Sequence, residues 1–263
     1  MKDVLVIGAY GGMGRAITAT LNEAGFRVFA LDRAVGEPQK NVIPIEMDIT
    51  SGDSVENAKN TVLKYTDEIY AILHFAGVYM LDSLVEMREE DIRRIFDINL
   101  FGVYLVNKAF VPIMKPGGRI IITTSELAPL DPLPFTGVYA VSKAALDKYA
   151  YSLAMELQLL GISVSVLRAG AVDTGMISAS TQALDRFCDS TRLYSCNAER
   201  FKRIVDGVEA RRIPPTKIAK KVFGILGRKK PRFVYSINRN PLLLILNAMP
   251  KRLQLWIIKK VLK

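Results

Sequence analysis

Two segments of the sequence place a tyrosine four residues before a lysine. "VYLVNKA" contains Tyr104 and Lys108, and "VYAVSKA" contains Tyr139 and Lys143. On a helix this spacing brings both side chains to one face, one turn apart. A tyrosine beside an ammonium group can act as a general acid or base, because the cation favours the phenolate. Either pair can also be an ordinary contact on a helix surface, so the spacing alone does not identify the reactive one.

The elements around both pairs alternate regularly between strands and helices. Short runs rich in Val and Ile predict strands, and longer segments between them have helical patterns. This alternation predicts a doubly wound parallel sheet (a Rossmann fold) with three αβα layers in a single domain. The predicted strands are residues 4–8, 27–31, 42–46, 70–75, 119–124, 163–168 and 232–236, and the predicted helices lie near 13–24, 53–65, 89–114, 138–160, 177–205 and 216–227.

Position relative to the sheet favours the second pair. In open parallel sheets the ligand lies beyond the carboxyl ends of the strands. Ser125 directly follows the fifth predicted strand, and Tyr139 begins the next helix after one loop, so both are expected at this edge. Tyr104 lies deep in a long helix that runs away from the edge at ~1.5 Å per residue. We therefore predict that Tyr139 and Lys143, with Ser125, carry the chemistry.

A glycine-rich segment, "VLVIGAYGGMGRAI", joins the first predicted strand to the first helix. It contains Gly8, Gly12 and Gly14. Glycines let a phosphate approach bare backbone, and the following helix N-terminus offers free N–H groups and the positive end of its dipole. A tight turn without a ligand is the alternative interpretation. The strand before the segment and the helix after it favour a dinucleotide site.

The ends of the second and third strands carry carboxylates. Asp32 can accept both ribose hydroxyls and repel a 2′-phosphate, which favours NAD over NADP. The adjacent Arg33 could pair with such a phosphate, so NADP remains the alternative. Asp48 either caps the following loop or accepts the adenine amino group, with Ile49 packing on the ring.

These motifs together resemble the short-chain dehydrogenase/reductase family over about residues 3–235. The resemblance implies an oxidoreductase that transfers hydride between a nicotinamide cofactor and an alcohol or ketone. The motifs occur in the family's order: Gly8-x-x-x-Gly12-x-Gly14, Asp48, "FAG" at 75–77, Asn99 in "FDINLFGVY", Ser125, Tyr139-x-x-x-Lys143, and "AGAVDT" at 169–174.

The resemblance also implies roles for individual residues. Tyr139 would be the general acid/base, and Lys143 its partner and a ligand of the nicotinamide ribose. Ser125 would position the substrate oxygen, and the backbone carbonyl of Asn99 would hold a water that leads to the lysine. Val172 and Thr174 match positions that contact the nicotinamide carboxamide. The full predicted cofactor site is Gly8, Tyr10, Gly11, Gly12, Met13, Gly14, Asp32, Arg33, Asp48, Ile49, Ala76, Gly77, Tyr139, Lys143, Gly170, Val172 and Thr174.

Several residues depart from the family pattern. His74 stands where the family has an asparagine, and we interpret it as a structural residue at a strand end. Ser125 precedes Tyr139 by one residue more than is common, so Thr124 is a weaker candidate for the same role. Glu126 has the more usual spacing, but a carboxylate cannot play the part of a hydroxyl. No member of the Asn–Ser–Tyr–Lys set is lost.

The predicted substrate side is apolar. Residues 175–205 are expected to form a lid over the site, or simply to pack on the sheet. Their apolar composition favours a hydrophobic secondary alcohol or ketone of steroid, retinoid or fatty-chain type. The predicted pocket residues are Ser125, Phe135, Tyr139, Met176 and Ile177. The alternative function is a catalytically silent dinucleotide-binding scaffold at a membrane surface.

The composition bears on the kinds of site and on the cellular location that can be expected. Two cysteines and a single histidine support neither a metal site, nor a disulfide framework, nor a histidine-based triad. A strand beginning at Val4 leaves no room for a signal peptide, so a cytoplasmic location is expected. As in related enzymes, a homodimer or homotetramer is expected, with Tyr104 facing a partner or solvent.

The C-terminal segment is strongly basic. Residues 211–263 contain 15 of the 36 lysines and arginines and no aspartate or glutamate, so the other 210 residues carry 21 basic and 26 acidic side chains. Residues 251–263 form an amphipathic pattern with leucines and isoleucines on one broad face and lysines opposite. Residues 237–263 are therefore predicted to be a basic C-terminal appendage to domain 1–236. The appendage covers the pocket, joins subunits or contacts a membrane surface; nucleic acid is not expected.

Overall fold

The computed structural model describes residues 1–208 and 212–263, apart from the side chains at 177, 178 and 208. One sheet of seven parallel strands runs through the molecule in the order β3-β2-β1-β4-β5-β6-β7. This topology confirms the predicted doubly wound fold. The strands are β1 Asp3–Ile7, β2 Arg27–Asp32, β3 Val42–Glu46, β4 Ile69–His74, β5 Met114–Ser125, β6 Ser163–Ala169 and β7 Val234–Ile237.

Helices cover both faces of the sheet. They are α1 Gly12–Glu23, α2 Gly52–Leu63, α3 Glu89–Phe96, α4 Gly102–Phe110, α5 Gly137–Leu157, α6 Gly175–Ser190, α7 Ser195–Val208, α8 Pro215–Leu226, α9 Pro241–Ala248 and α10 Lys251–Leu262. Because successive strand side chains point to opposite faces, β1 contributes Leu5 and Ile7 to one hydrophobic core and Val4 and Val6 to the other. The Val- and Ile-rich strands are thus buried on both sides, as a parallel sheet requires.

Two predicted helices are subdivided in the structure. The segment predicted as one helix over 177–205 is α6 and α7, separated by a turn at 191–194. Glu86 stabilises this turn by accepting hydrogen bonds from the Thr191 hydroxyl and the N–H groups of Arg192 and Leu193. The segment predicted near 89–114 contains a π-helical turn, Asp97–Phe101, between α3 and α4.

The same α3–α4 segment, Glu89–Ile113, is long and apolar enough to cross a membrane by length and composition. Its side chains Ile95, Val103, Val106 and Phe110 are buried against the rest of the protein. Core packing therefore accounts for its apolar character.

Candidate active site

The carboxyl end of β5 and the start of α5 bring a serine and a tyrosine together. Ser125 is the last residue of β5, and Tyr139 lies in the first turn of α5. Both are buried, and their side chains interact, which lowers the pKa of Tyr139 against the larger effect of burial. The Ser125 hydroxyl also accepts the N–H of Leu127 at 3.2 Å. The predicted juxtaposition of these two hydroxyls is present.

Thr124, the weaker sequence candidate, contacts a different residue of α5. Its hydroxyl donates to Asp147 of α5 at 3.3 Å. Asp147 also accepts two hydrogen bonds from the guanidinium of Arg168, at 3.0 and 2.6 Å. The Thr124 hydroxyl is therefore engaged two turns further along α5 than Tyr139, and the hydroxyl beside Tyr139 is that of Ser125.

Lys143 lies one turn after Tyr139 and is only 4% exposed. Its Nζ atom lies 3.5 Å from the Thr123 carbonyl, to which it donates, and 5.9 Å from the centre of the Tyr139 ring. Burial lowers the pKa of Lys143 to about 8 and raises the pKa of Tyr139 to about 12. Burial thus dominates the pKa of both groups, and the lowering of the tyrosine pKa by the lysine stays a prediction.

Asn99 lies inside the π-helical turn and is fully buried. Its side chain accepts the N–H of Val78 and donates to the Val78 carbonyl and to the Ser142 hydroxyl. These bonds fix the loop after β4 to α5. Gly77 of that loop is closely packed, because a Cβ there would lie 3.2 Å from both Asn99 Oδ1 and Lys143 Nζ. The structure thus brings Asn99, Ser125, Tyr139 and Lys143 to one region.

The glycine turn after β1 has the geometry of an anion site. Gly8 has a φ of 78°, and a Cβ on it would lie 2.5 Å from the Ala76 nitrogen. A Cβ on Gly14 would lie 2.0 Å from the Gly8 carbonyl oxygen. The N-cap of α1, Gly11, makes no side-chain hydrogen bond, and the first turn carries no acidic residue. The first N–H groups of α1 and its dipole can therefore receive a phosphate.

Asp32 lies at the end of β2 beside this turn. Its carboxylate accepts the N–H groups of Tyr10 at 2.9 Å and Arg33 at 2.8 Å. With Tyr10, Gly11 and Arg15 it lines an open cleft of ≈ 350 Å³. The carboxylate is thus held rigidly where a ribose would follow the phosphates bound at α1, and the residues present fit a dinucleotide.

The two residues predicted to contact adenine have other packing roles as well. Asp48 accepts hydrogen bonds from the N–H and hydroxyl of Thr50, which lower its pKa. It therefore caps the following loop, the simpler of the two interpretations, while still lining a second cleft with Arg33. Ile49 is 8% exposed and packs against Gly102 of α4, which leaves little of it to cover a ring.

The segment after β6 completes the predicted cofactor site. A Cβ on Gly170 would lie 1.8 Å from the Asn238 carbonyl oxygen. This position therefore needs glycine, because the backbone at Asn238 passes directly beside it. Val172 is buried and lies opposite Ile213 in a short bridge. The Ile213 carbonyl accepts the N–H of Asp173, and the Ile213 N–H donates to the carbonyl of Ala171. Thr174 begins α6 and touches Gly12 of the glycine turn. Met13 packs on the same core from α1.

The predicted pocket residues differ in their placement. Phe135 has a φ of 65°, a left-handed conformation that is rare for a bulky residue. Its ring is buried among those of Phe187, Tyr194 and Phe201, at 4.5, 5.3 and 5.4 Å between centres. The ring therefore anchors the segment predicted as a lid, and its contact with substrate stays a prediction. Met176 is half-buried at the start of α6, and the side chain of Ile177 lies outside the described residues.

His74 is structural, as predicted. It is 3% exposed, and its Nε2 atom lies 2.9 Å from Asn107 Oδ1. Burial lowers its pKa to about 4, so it is neutral near pH 7. Its place at the end of β4, below the site, gives it no contact with the hydroxyl pair.

Two neighbours of Tyr139 were not among the predicted site residues. The Tyr79 ring lies 4.8 Å from the Tyr139 ring, between centres. Glu126 follows Ser125, and its negative charge raises the pKa of Tyr139. Its carboxylate accepts the N–H of Asn240 at 2.6 Å, and burial raises its own pKa. The position of Glu126 next to Ser125 in the sequence could have indicated that it lies near Tyr139. No local pattern indicates its bond to Asn240, which is 114 residues away.

The fold and this edge define a dinucleotide-binding α/β protein with a Ser–Tyr–Lys site. The family model described as short chain dehydrogenase matches residues 2–185. Because this is more than half of the chain, the protein belongs to the short-chain dehydrogenase/reductase family and is an oxidoreductase of that family.

Curated relatives include two reductases. The chain is 26% identical over 249 residues to 3-ketodihydrosphingosine reductase of Bacteroides thetaiotaomicron, covering 94% of this chain and 91% of that one. It is 31% identical over 180 residues to NADPH-dependent 1-acyldihydroxyacetone phosphate reductase of Schizosaccharomyces pombe, covering 66% of this chain and 60% of that one. A short-chain dehydrogenase of Burkholderia cenocepacia in complex with NADP has the same fold, with a TM-score of 0.75, 21% identity and full coverage of both chains.

Proposed function

We propose that this protein interconverts a hydrophobic secondary alcohol and the corresponding ketone, with Tyr139 as general acid/base. The observation that carries the proposal is the juxtaposition of the Ser125 and Tyr139 side chains, which lie with Lys143 at the same sheet edge as the glycine turn. A nicotinamide cofactor would supply or accept the hydride at this edge. Gly8, Gly14, the α1 N-terminus and Asp32 would hold it.

The protein's own residues would handle the proton and the substrate oxygen. In the reducing direction, the Tyr139 hydroxyl donates its proton to the carbonyl oxygen; in the oxidising direction, the phenolate accepts the proton of the alcohol. The Ser125 hydroxyl donates to the same oxygen and stabilises its developing charge. A protonated Lys143 lowers the cost of forming the phenolate.

The substrate proposed is a ketone or alcohol on a fatty chain or another large apolar group. The aromatic cluster under the lid and the names of the two reductases, both of which concern lipid-type ketones, support it. A panel of long-chain 3-keto compounds, steroid ketones, retinoids and sugars, followed through NAD(P)H absorbance, tests it. Turnover of sugars alone, or tight cofactor binding without turnover of anything, would contradict it.

For the cofactor we propose NAD. NADP is the alternative, because the relative from Schizosaccharomyces pombe is named as NADPH-dependent. The carboxylate of Asp32 should repel a 2′-phosphate. We expect Asp32→Ala to raise kcat/KM for NADP relative to NAD by roughly 10–100-fold, since a like-charge contact costs up to several kcal/mol. Initial rates with both cofactors measure the ratio. If the wild-type protein already prefers NADP, Asp32 does not exclude the 2′-phosphate and the proposal of NAD is wrong.

The charge of Glu126 should set the pH dependence of oxidation. Alcohol oxidation needs the Tyr139 phenolate, so the rate should rise with pH through the pKa of Tyr139. Because the Glu126 charge raises that pKa, Glu126→Gln should move the rise to lower pH. The pH profile of kcat measures this shift. Glu156→Gln, the same charge change at the far end of α5, should leave the profile in place, and an equal shift in both variants would contradict the proposal.

We also propose that the protein forms a homodimer or homotetramer through α4 and α5. Five apolar side chains on these helices and at the end of the π-helical turn before α4 are at least 43% exposed: Phe101, Tyr104, Val141, Tyr151 and Met155. Burying them between copies would remove this apolar surface from water. Tyr104 belongs to this surface and not to the site, which agrees with the choice between the two Tyr–Lys pairs.

A further inference from the structure

The C-terminal appendage, residues 237–263, lies against the active-site loop, residues 126–136. The Asn240 N–H donates to Glu126 at 2.6 Å, and the Asn247 side chain accepts the N–H of Asp131 at 2.8 Å. The Asp131 carboxylate in turn pairs with Lys251 and accepts a hydrogen bond from Gln254. The appendage is therefore fixed to the rim of the site.

The appendage is also fixed to the lid. Ile258 and Leu262 of α10 pack on the cluster that contains Phe201 of α7, and the Leu262 carbonyl accepts a hydrogen bond from Asn197 at 2.6 Å. The face of α10 centred on these two residues is thus occupied by the protein itself. The broad apolar face predicted for residues 251–263 is only partly used in this contact.

Other apolar residues of the appendage face solvent. No residue of α9, "PLLLILNA", is buried, and Leu242 and Ile245 are 62% and 57% exposed. On α10, Leu255 and Trp256 are 71% and 57% exposed. An apolar helix without a buried side chain is unusual in a water-soluble surface and indicates a binding face.

Basic residues surround this apolar surface. Arg252, Lys259, Lys260 and Lys263 are exposed on α10, on the side that carries Trp256. The whole stretch from 211 to 263 contains no acidic residue. A partner for this surface must therefore be both apolar and negatively charged.

We propose that the exposed side of α9 and α10 docks the protein on an anionic lipid bilayer. Leucines and isoleucines of α9 and Trp256 would enter the interface, and the lysines of α10 would contact the headgroups. A second copy fits less well, because it would bring an equally basic appendage to the contact. Nucleic acid would leave the leucines of α9 without a partner.

Docking through this surface would bring the lid and the active-site loop near the bilayer, because both pack on the inner side of the appendage. An apolar substrate could then pass from lipid to the site without crossing water. This consequence rests on the proposed function, whereas the docking itself does not. The two can be tested separately, because binding to vesicles needs neither cofactor nor turnover.

The single tryptophan of the chain, Trp256, reports directly on the proposed contact. We expect its emission to shift to shorter wavelength with vesicles of phosphatidylglycerol and phosphatidylcholine, and the protein to float with them. Vesicles of phosphatidylcholine alone should bind much less, and high salt should weaken binding. An unshifted emission with no flotation would overturn the proposal, as would equal binding to both kinds of vesicle.

Matched variants of the full-length protein identify the surface. Lys259→Gln with Lys260→Gln should weaken flotation by roughly 30-fold, since each basic residue near an anionic surface contributes a factor of about five. The control, Lys229→Gln with Lys230→Gln, removes the same charge from exposed positions at the opposite edge of the sheet and should change little. Equal losses in both would show only a net-charge effect and overturn the assignment.

A second pair tests the apolar part. Leu242→Ser with Ile245→Ser should reduce both flotation and the emission shift, whereas Leu159→Ser with Leu160→Ser, exposed between α5 and β6, should not. Light scattering of the same variants detects a second copy as the occupant. If the α9 variant lost only self-association and kept its vesicle binding, the face would be a subunit contact and the lipid proposal would fail.

Discussion

Tyr139→Phe is expected to lower kcat by roughly 10²–10⁴-fold in either direction, which is the usual contribution of a positioned general acid or base. The variant removes one oxygen and keeps the ring. Tyr139 is 8% exposed, and its ring packs against Tyr79, so the fold should be retained. Cofactor binding should also persist, because the glycine turn is untouched. Steady-state rates together with cofactor titration measure both effects.

Tyr104→Phe is the matched control, because the two tyrosines have the same spacing to a lysine. Tyr104 is 43% exposed on α4, and the Nζ atom of Lys108 lies 6.0 Å from its ring centre. That distance is nearly the 5.9 Å of the Tyr139–Lys143 pair. We expect this control to retain nearly full turnover. Similar losses in both variants would show that Tyr139 is not the general acid/base.

The comparison of these pairs explains how much of the site could be predicted. Their local sequence and local geometry are nearly the same, so the motif could not separate them. The order of strands and helices did, because in a parallel sheet it determines which residues reach the carboxyl edge. The same reasoning placed Ser125, Gly8 and Asp32 at that edge.

Features that depend on distant contacts could not be predicted in this way. Glu126 and Asn240 are joined by a hydrogen bond across 114 residues, which no periodic pattern encodes. Phe135 occupies a left-handed conformation that its own preferences disfavour, and the surrounding rings compensate for the cost. The pKa values of Tyr139 and Lys143 depend on burial, which the spacing of two residues does not reveal.

Ser125→Ala should have the second large effect, a loss of roughly 10²–10³-fold in kcat, as when one donor to a developing oxyanion is removed. The hydroxyl lies at the carboxyl end of β5 and interacts with the side chain of Tyr139. Its removal deprives the substrate oxygen of a donor and removes the interaction with Ser125 that lowers the pKa of Tyr139. Oxidation should therefore also need a higher pH in the variant than in the wild type.

Thr124→Ala separates this chemical role from a packing role. Thr124 is the adjacent strand residue, equally buried, but its hydroxyl is bonded to Asp147, two turns further along α5 than Tyr139. Its loss should lower the free energy of unfolding by about 1 kcal/mol, the usual worth of one hydrogen bond, and leave the pH profile of kcat unchanged. Thermal unfolding and pH profiles of both variants measure the difference. If Thr124→Ala lost as much turnover as Ser125→Ala, positioning of β5 rather than the Ser125 hydroxyl would be the common cause.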